Sequence, residues 1–540
     1  MKIRRGYTEA IIFLAVYLFA IYLWTLPFQD NRIPYGEDDA LSHWEIADSF
    51  AQMDKTYVYL PAYIDYAYGF DNRFKPHTLW YHPPFHTDLA MIASFANDRV
   101  IPIYLANAVF SSSILITVFF VMRKLFGFLP AILSSFLLTF SMRDIMPYLW
   151  GQWPERFSYA FIPLILYCLY MYLTTYSKEE SRPIYLYLMS IFLAINLMIH
   201  PLGIFHSLAA VFVLGTALAI KNRKIPFNIK HIGIALLVFT ALISVFPYQT
   251  GNVLSTFTRE QESDSKASFS RIFRWSFDPE EFAGSVPASY FSFREMHGLW
   301  TLPFLLLGIG VLAVRRQNRD IFLLAWLVSL YLVLHRDIIG KTELLHRSLS
   351  ATAHIFIPIT VIGALSIDSF IKLPKGYNGF LKYGLASLIV ILAFVFNFPQ
   401  SYSTLDQAYD SPIIRLNAAQ IEVGEWLKVN SDESTNVSII GPPPQIMSKV
   451  WWMSSITNRV TNYFEGFLTW GKYKDDPEIA RGHLKEDYIV FDYSDIALFS
   501  RELTEQWLAF EQQSMENHTL IYNKGNIRVY KYETSDETSG

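Results

Sequence analysis

Eleven runs of mostly apolar residues punctuate this 540-residue chain, near 8–28, 101–122, 127–142, 157–176, 184–201, 203–220, 231–249, 298–314, 320–335, 349–369 and 380–398. A bilayer core needs about 20 such residues per helix, and no soluble architecture needs that length so often. The chain is therefore expected to fold as a polytopic α-helical membrane protein with about 11 transmembrane helices. Composition agrees, with 52% hydrophobic and only 17% charged residues. A net charge of −4 excludes a broadly basic nucleic-acid surface. The single cysteine, Cys168, lies inside an apolar run, so one chain cannot build a disulfide framework or a thiolate metal centre.

The connections supply the topology. With a cytoplasmic N-terminus, the inner turns are "MRKLFG", "YSKEESRP", "KNRKIPFNIK", "RRQNRD" and "IKLPKGYNGFLK". All are short and all carry Lys or Arg, as the positive-inside rule requires. The basic start "MKIRR" and the long first run, without a small-residue cleavage pattern, read as a retained span. Residues 1–398 then form a membrane domain in the cell membrane. Its long outer pieces are a first loop over 29–100, expected to carry surface helices, and a second over 250–297.

Residues 399–533 are expected to form an extracytoplasmic α/β domain, followed by a disordered tail over 534–540. Within it "AAQIEVGEWLKVNS" has an amphipathic helical pattern, "NVSIIG" and "DYIVFDYS" read as strands, and "TLIYNKGNIRVYKY" reads as a hairpin turning at Asn-Lys-Gly-Asn. Two glycosylation triplets, Asn436-Val-Ser and Asn517-His-Thr, fall in the same segment.

Chemistry-bearing residues concentrate in the outer loops. "PYGEDDALSHWEIADSF" brings Glu37, Asp38, Asp39, His43, Glu45 and Asp48 together just after the first run. As a helix, it sets Asp39 and His43 on one face, four residues apart, with acid at the N-terminal end where the helix dipole favours it. An interfacial helix with an acidic first turn is the plainer reading. Against it, "NRFKPHTLWYHPPFHTDLAMIASF" adds His77, His82 and His86 to the same loop, and Pro83-Pro84 prepares a second helix. The loop is thus expected to roof a polar pocket, with His82 and His86 facing substrate.

The acidic segment after the first span, the long first outer loop with its "HPPF", the eleven spans and the C-terminal outer domain together resemble the prokaryotic branches of the GT-C superfamily. This superfamily of membrane glycosyltransferases includes protein O-mannosyltransferases, lipid A aminoarabinose transferases and the catalytic subunit of oligosaccharyltransferase. "DALSHWEIA" is similar to an Asp-x-x-x-His pattern at the start of their first outer loop, and "YHPPFH" to the Tyr-Pro-Pro segment that follows. The resemblance implies sugar transfer from a polyprenyl-phosphate-linked donor to a glycan, lipid or protein acceptor on the outer face. It implies that Asp39 is the acid at the reacting centre, with Asp38 or Glu37 as neighbour or substitute. An inverting transfer needs one carboxylate to take the acceptor's proton. Which of the three supplies it is left open.

Other stretches offer help with the phosphate. "QWPERFSY" carries Glu155 and Arg156 ahead of a span. A salt-bridged helix start explains them equally well, while the resemblance implies an acid at this turn that faces the pocket. His200 and His206, near the outer ends of two spans, are residues of a kind more often packed than ligating. "LHRDIIGKTELLHRSLSATAHIFIP" places Arg336, His346 and Arg347 outside, against the positive-inside pattern. Arg347 is the preferred phosphate ligand because its planar fork matches phosphate oxygens. Binding of anionic membrane lipids is the competing account. Asp39 and Glu155 are the candidate oxygen ligands of a divalent cation, Mg or Mn. The aminoarabinose and O-mannosyl branches do not require one, so the cofactor is open.

"STFTREQESDSKASFSRIFRWSFDPEEF" resembles the mobile outer loop that covers donor and acceptor in these enzymes. "VWWM" resembles the Trp-Trp-Asp segment of oligosaccharyltransferase but has Met453 where the acid stands, which speaks against sequon recognition. A transporter or flippase, and a non-catalytic assembly protein on the same scaffold, are the alternatives.

Overall fold

The computed structural model describes residues 2–29, 38–52, 82–98, 100–141, 145, 148–149, 151–177, 182–223, 228–258, 301–334, 355–372, 379–407, 416–432, 435–440, 460–461, 476–494 and 500–532. In chain order the helical part consists of α1 (Lys2–Trp24), α2 (Leu26–Gln29), α3 (Asp38–Gln52), α4 (Pro84–Ala93), α5 (Ile101–Leu125), α6 (Phe128–Thr139), α7 (Trp153–Tyr159) and α8 (Ile162–Ser177). It continues with α9 (Ile184–Ile199), α10 (Pro201–Asn222), α11 (Ile229–Ile243), α12 (Pro247–Thr258), α13 (Thr301–Arg315), α14 (Asn318–Leu334), α15 (Phe356–Lys372) and α16 (Gly379–Gln407). Then follow α17 (Ala418–Asn430), β1 (Asn436–Ile440), β2 (Val460–Thr461), α18 (Pro477–His483), β3 (Tyr488–Asp492), α19 (Arg501–Ser514), β4 (His518–Lys524) and β5 (Ile527–Tyr532).

Each of the eleven apolar runs contains one of these helices, so the molecule is a mostly helical membrane protein. Among the described residues, the helical stretches Gly6–Trp24, Ile101–Leu125, Trp153–Tyr176 and Pro201–Asn222 are each long and apolar enough to cross a bilayer. The run over 231–249 departs from expectation. It breaks after Ile243, and the helix restarting at Pro247 leaves at 110° to α11. Pro247 has no N–H to give the preceding turn and its ring excludes a continuing helix, so it begins α12 instead.

The chain divides into two compact units. One comprises Met1–Thr25, Leu105–Tyr148 and Gln152–Leu405; the other comprises Leu26–Tyr104, Leu149–Gly151 and Asp406–Gly540.

The first unit is a helical bundle. Its core joins Leu115, Val118 and Met122 of α5 to Ile165 and Leu169 of α8, Leu214 of α10, Phe322 and Trp326 of α14, and Ile359 and Ile362 of α15. Helices approach closely where side chains are absent. A Cβ on Gly308 of α13 would overlap Ile362 of α15, and one on Gly203 of α10 would overlap Asn196 and Ser158. At one end of the bundle the basic turns are tied together. Arg123 pairs with Glu9 at 2.7 Å, Arg319 Nη1 donates to the Leu125 carbonyl at 2.9 Å, and the Arg315 guanidinium grips the buried Asp320. Turns that the positive-inside pattern assigns to one face thus meet at one end.

The second unit contains α3 and α4, which pack through Ile46, Phe50 and Ala90. It also contains a five-stranded sheet in the order β2-β1-β3-β5-β4. Strands β2, β1 and β3 run parallel, and the β4–β5 hairpin adds antiparallel to β3. Gly525 and Asn526 both take φ of 61°, the left-handed conformation that a two-residue hairpin turn requires. The sheet buries Ile440, Ile489 and Phe491 against Trp507 and Phe510 of α19. Beneath it the buried Glu511 accepts hydrogen bonds from Tyr493, from Tyr530 at 2.8 Å and from Arg528 at 2.6 Å. Helix α17 begins in a capping box between Asn417 and Gln420, and the Gln420 amide donates to Asp492 at 2.6 Å. Thus the amphipathic run, both strands and the hairpin read from the sequence all form. Residues 441–459, with the "VWWM" segment, and the tail over 534–540 lie outside the described residues.

Candidate active site

The acidic segment forms a helix, as its spacing predicts. Helix α3 starts at Asp38, so Asp38 and Asp39 occupy its first turn, where unpaired backbone N–H groups favour carboxylates. Glu37 and the side chains of Asp38 and Asp39 lie outside the described residues. One turn on from Asp39, His43 is buried, as are Trp44, Ile46, Ala47 and Asp48. The helix is therefore packed on several sides and does not float on a surface.

The first turn of α3 is held by a glycine that the sequence reading passed over. Gly151 has φ of 95°, and a Cβ there would overlap the backbone nitrogen and Cα of Ala40. Only a residue without a side chain lets the chain at 151 lie on the turn that carries Asp39. The signal was a lone Gly inside "WGQWPER", two residues before Trp153.

Behind that turn the histidines converge. His43 Nδ1 lies 2.9 Å from His86 Nε2, with both rings buried and stacked at 5.2 Å. One nitrogen must carry the hydrogen and the other the lone pair, so the contact fixes the tautomers of the two rings against each other. Phe85 sets its ring edge-on to both. His86 reaches this position because Pro84 opens α4 with φ already suited to a helix. His82, before that helix, is buried, and desolvation lowers its pKa to about 4. It is a neutral hydrogen-bonding group at physiological pH.

Glu155 and Arg156 belong to the helical bundle. Trp153 donates to the Tyr148 carbonyl at 3.0 Å and Tyr148 donates to the Trp24 carbonyl at 2.9 Å, which fastens α7 to the end of α1. Both Glu155 and Arg156 are buried. The Arg156 guanidinium lies 4.4 Å from the Trp24 ring centre and Nη2 donates to the Ser111 carbonyl at 3.4 Å. Arg156 is thus a packed cation over an aromatic face, beyond the surface salt bridge of the plainer sequence reading. His200 caps α10 by accepting from Leu202 N, and His206 packs against Tyr159. Both behave as structural histidines.

Arg336, His346 and Arg347, and most of the loop over 250–297, lie outside the described residues. Among the described residues, no group of three or more His, Cys, Asp or Glu could hold a metal ion. Of the buried histidines, His43 and His86 are bonded to each other, His206 lies beside Tyr159 Oη and His200 caps its helix. Of the two candidate ligands, Glu155 is buried in the bundle, and the side chain of Asp39 lies outside the described residues.

No protein-family profile matches the chain. No curated protein matches it in sequence. Solved structures do match along nearly its whole length. The oligosaccharyltransferase AglB of Archaeoglobus fulgidus, in complex with an inhibitory peptide and a dolichol-phosphate, superimposes with a TM-score of 0.59 at 12% identity over 98% of this chain and 75% of its own. ArnT of Cupriavidus metallidurans matches with a TM-score of 0.60 in the apo state, at 7% identity, over 97% of this chain and 98% of its own. Its complex with undecaprenyl phosphate matches equally well, at 9% identity. A further AglB structure, with Zn and sulfate, reaches 0.54. The likeness is one of fold: this chain shares the architecture of AglB and ArnT, two members of the superfamily to which its motifs are similar.

Proposed function

With a GT-C fold as the premise, we propose that this protein is a membrane glycosyltransferase that moves a sugar from a polyprenyl-phosphate-linked donor to a glycan, lipid or protein acceptor. The single observation that carries the reading is the full-length likeness to two GT-C proteins solved with dolichol-phosphate and with undecaprenyl phosphate. In this reading the first turn of α3, against which Gly151 packs, is the one that carries the catalytic carboxylate.

In this reading the chain spans the cell membrane about eleven times, with its N-terminus in the cytoplasm and residues 399–533 outside. Asp39 takes the proton from the acceptor hydroxyl or amine as it attacks the anomeric carbon with inversion. Asp38 and Glu37 are the neighbours able to replace it. His43, hydrogen-bonded to His86, orients the helix behind that carboxylate, and neutral His82 supplies a polar contact to substrate. Glu155 and Arg156, buried at the start of α7, are the bundle's candidates for contact with substrate. The leaving phosphate carries negative charge, and Arg347, with Arg336 and His346, is the cationic group that answers it.

The test presents purified protein with a panel of polyprenyl-phosphate sugars and follows released carrier phosphate together with glycosylated product by mass spectrometry. Matched release and product formation support the reading. Donor that crosses a proteoliposome bilayer unchanged would favour a flippase. Binding without release, for every donor, would favour a non-catalytic scaffold protein.

A further inference from the structure

The two Asn-X-Ser/Thr triplets play no part in the proposed reaction, and the fold treats them differently. Glycan transfer to asparagine requires the Asn amide and the hydroxyl two residues later to be presented together, which is why acceptor sites sit on surface segments. Asn436-Val437-Ser438 opens β1, an interior strand between β2 and β3. Ser438 is fully buried, and the Asn436 backbone N–H donates to Asp487 Oδ2 at 2.9 Å. Presenting this triplet would mean pulling a strand from the middle of the sheet.

Asn436 itself is exposed, so Asn517-His518-Thr519 differs from its triplet at the hydroxyl residue and in its place in the sheet. Asn517 ends the turn between α19 and β4, and both Asn517 and Thr519 are exposed. Strand β4 stands at the end of the sheet order, bonded only to β5 among the described strands. No proline occupies the middle or following position. A transferase could engage the turn and the first residues of this strand without disturbing the core under β3.

We infer that Asn517 is an N-glycosylation site of this protein and that Asn436 is not. The donor class is a glycan on a lipid pyrophosphate, used by an oligosaccharyltransferase of the outer compartment. The Asn517 amide nitrogen bonds to the anomeric carbon while the carbon–oxygen bond to phosphate breaks. The pyrophosphate lipid leaves with the electron pair, and the amide proton passes to a carboxylate of the transferring enzyme. This inference rests on the outward orientation of residues 399–533 proposed above, and it is independent of any transfer catalysed by this chain.

The test expresses the full chain in a cell whose oligosaccharyltransferase faces the outer or lumenal side, with an accessible Asn-Gly-Thr tag added after the C-terminus as an internal reference. Site occupancy is read by mass spectrometry after glycosidase release in heavy-oxygen water. Glycan on the tag and on Asn517, with Asn436 bare, is the expected result. Asn517→Gln and Thr519→Ala each remove one glycan, and Thr519→Ser retains it. A glycosylated tag beside bare Asn517, or equal occupancy at Asn436, overturns the assignment. A bare tag on membrane-inserted protein puts the segment on the other face and overturns it as well, whereas the transfer assay above is untouched by either result.

Discussion

His82 is buried as a neutral imidazole, and that state has a measurable cost in acid. Its folded pKa, about 4, lies below the unfolded value of 6.5, so between these pH values the unfolded chain binds the extra proton. The stabilisation is whole above the unfolded value and is lost as pH falls toward the folded one, by at most about 3 kcal/mol. Thermal unfolding in detergent should therefore drop through this window in wild type, and the slope should flatten in His82→Gln. An unchanged slope would show that His82 is already protonated in the folded protein. Gly151 offers a sharper local test. Gly151→Ala adds a methyl at positive φ against Ala40 and should cost about 1–3 kcal/mol while moving the turn that carries Asp39. Transfer activity should fall more than stability does, measured side by side on the same preparation. Asp39 and His43 could be read from sequence as a pair because four residues make one helical turn. The 2.9 Å contact from His43 to His86 and the seat of Ala40 on Gly151 could not. Both join segments far apart in sequence, and no local spacing encodes them.

Among the elements, the helices were legible wherever apolar residues ran long, since each of the eleven runs contains a helix. The break at residues 244–246 was not, because Val245 and Phe246 continue the apolar run and Pro247 acts through backbone geometry. The sheet was legible through its turn chemistry, with Gly525 where a left-handed residue is needed. Helix packing makes a comparative prediction. Gly203→Ala and Gly308→Ala each drive a methyl into a neighbouring helix and should lower the melting temperature, at a typical overpacking cost of about 1–3 kcal/mol. Gly215→Ala, on the same helix as Gly203 but with nothing within 4 Å, should leave it unchanged or raise it slightly. Equal effects at all three glycines would contradict the packing described for α10 and α13.

At the scale of the whole molecule, the proposed topology and the proposed chemistry depend on each other. Transfer on the outer face needs the first loop, the basic segment around Arg347 and residues 399–533 to share a compartment, which is the arrangement expected from the spacing of Lys and Arg in the short turns. Arg123, Arg315 and Arg319 do gather at one end of the bundle, so the turns that carry them share one face, whichever side it is on. Composition identified a membrane protein and short motifs pointed to the GT-C fold, yet no spacing in the chain names the sugar or the acceptor. Those are decided by pocket shape, which long-range packing creates. The measurement that bears most directly on the central claim compares wild type with Asp39→Asn on a polyprenyl-phosphate sugar, following carrier phosphate release and donor binding together. We predict donor binding retained and turnover reduced by about 100-fold or more, the scale of a lost general base. Turnover equal to wild type would contradict the assignment of Asp39.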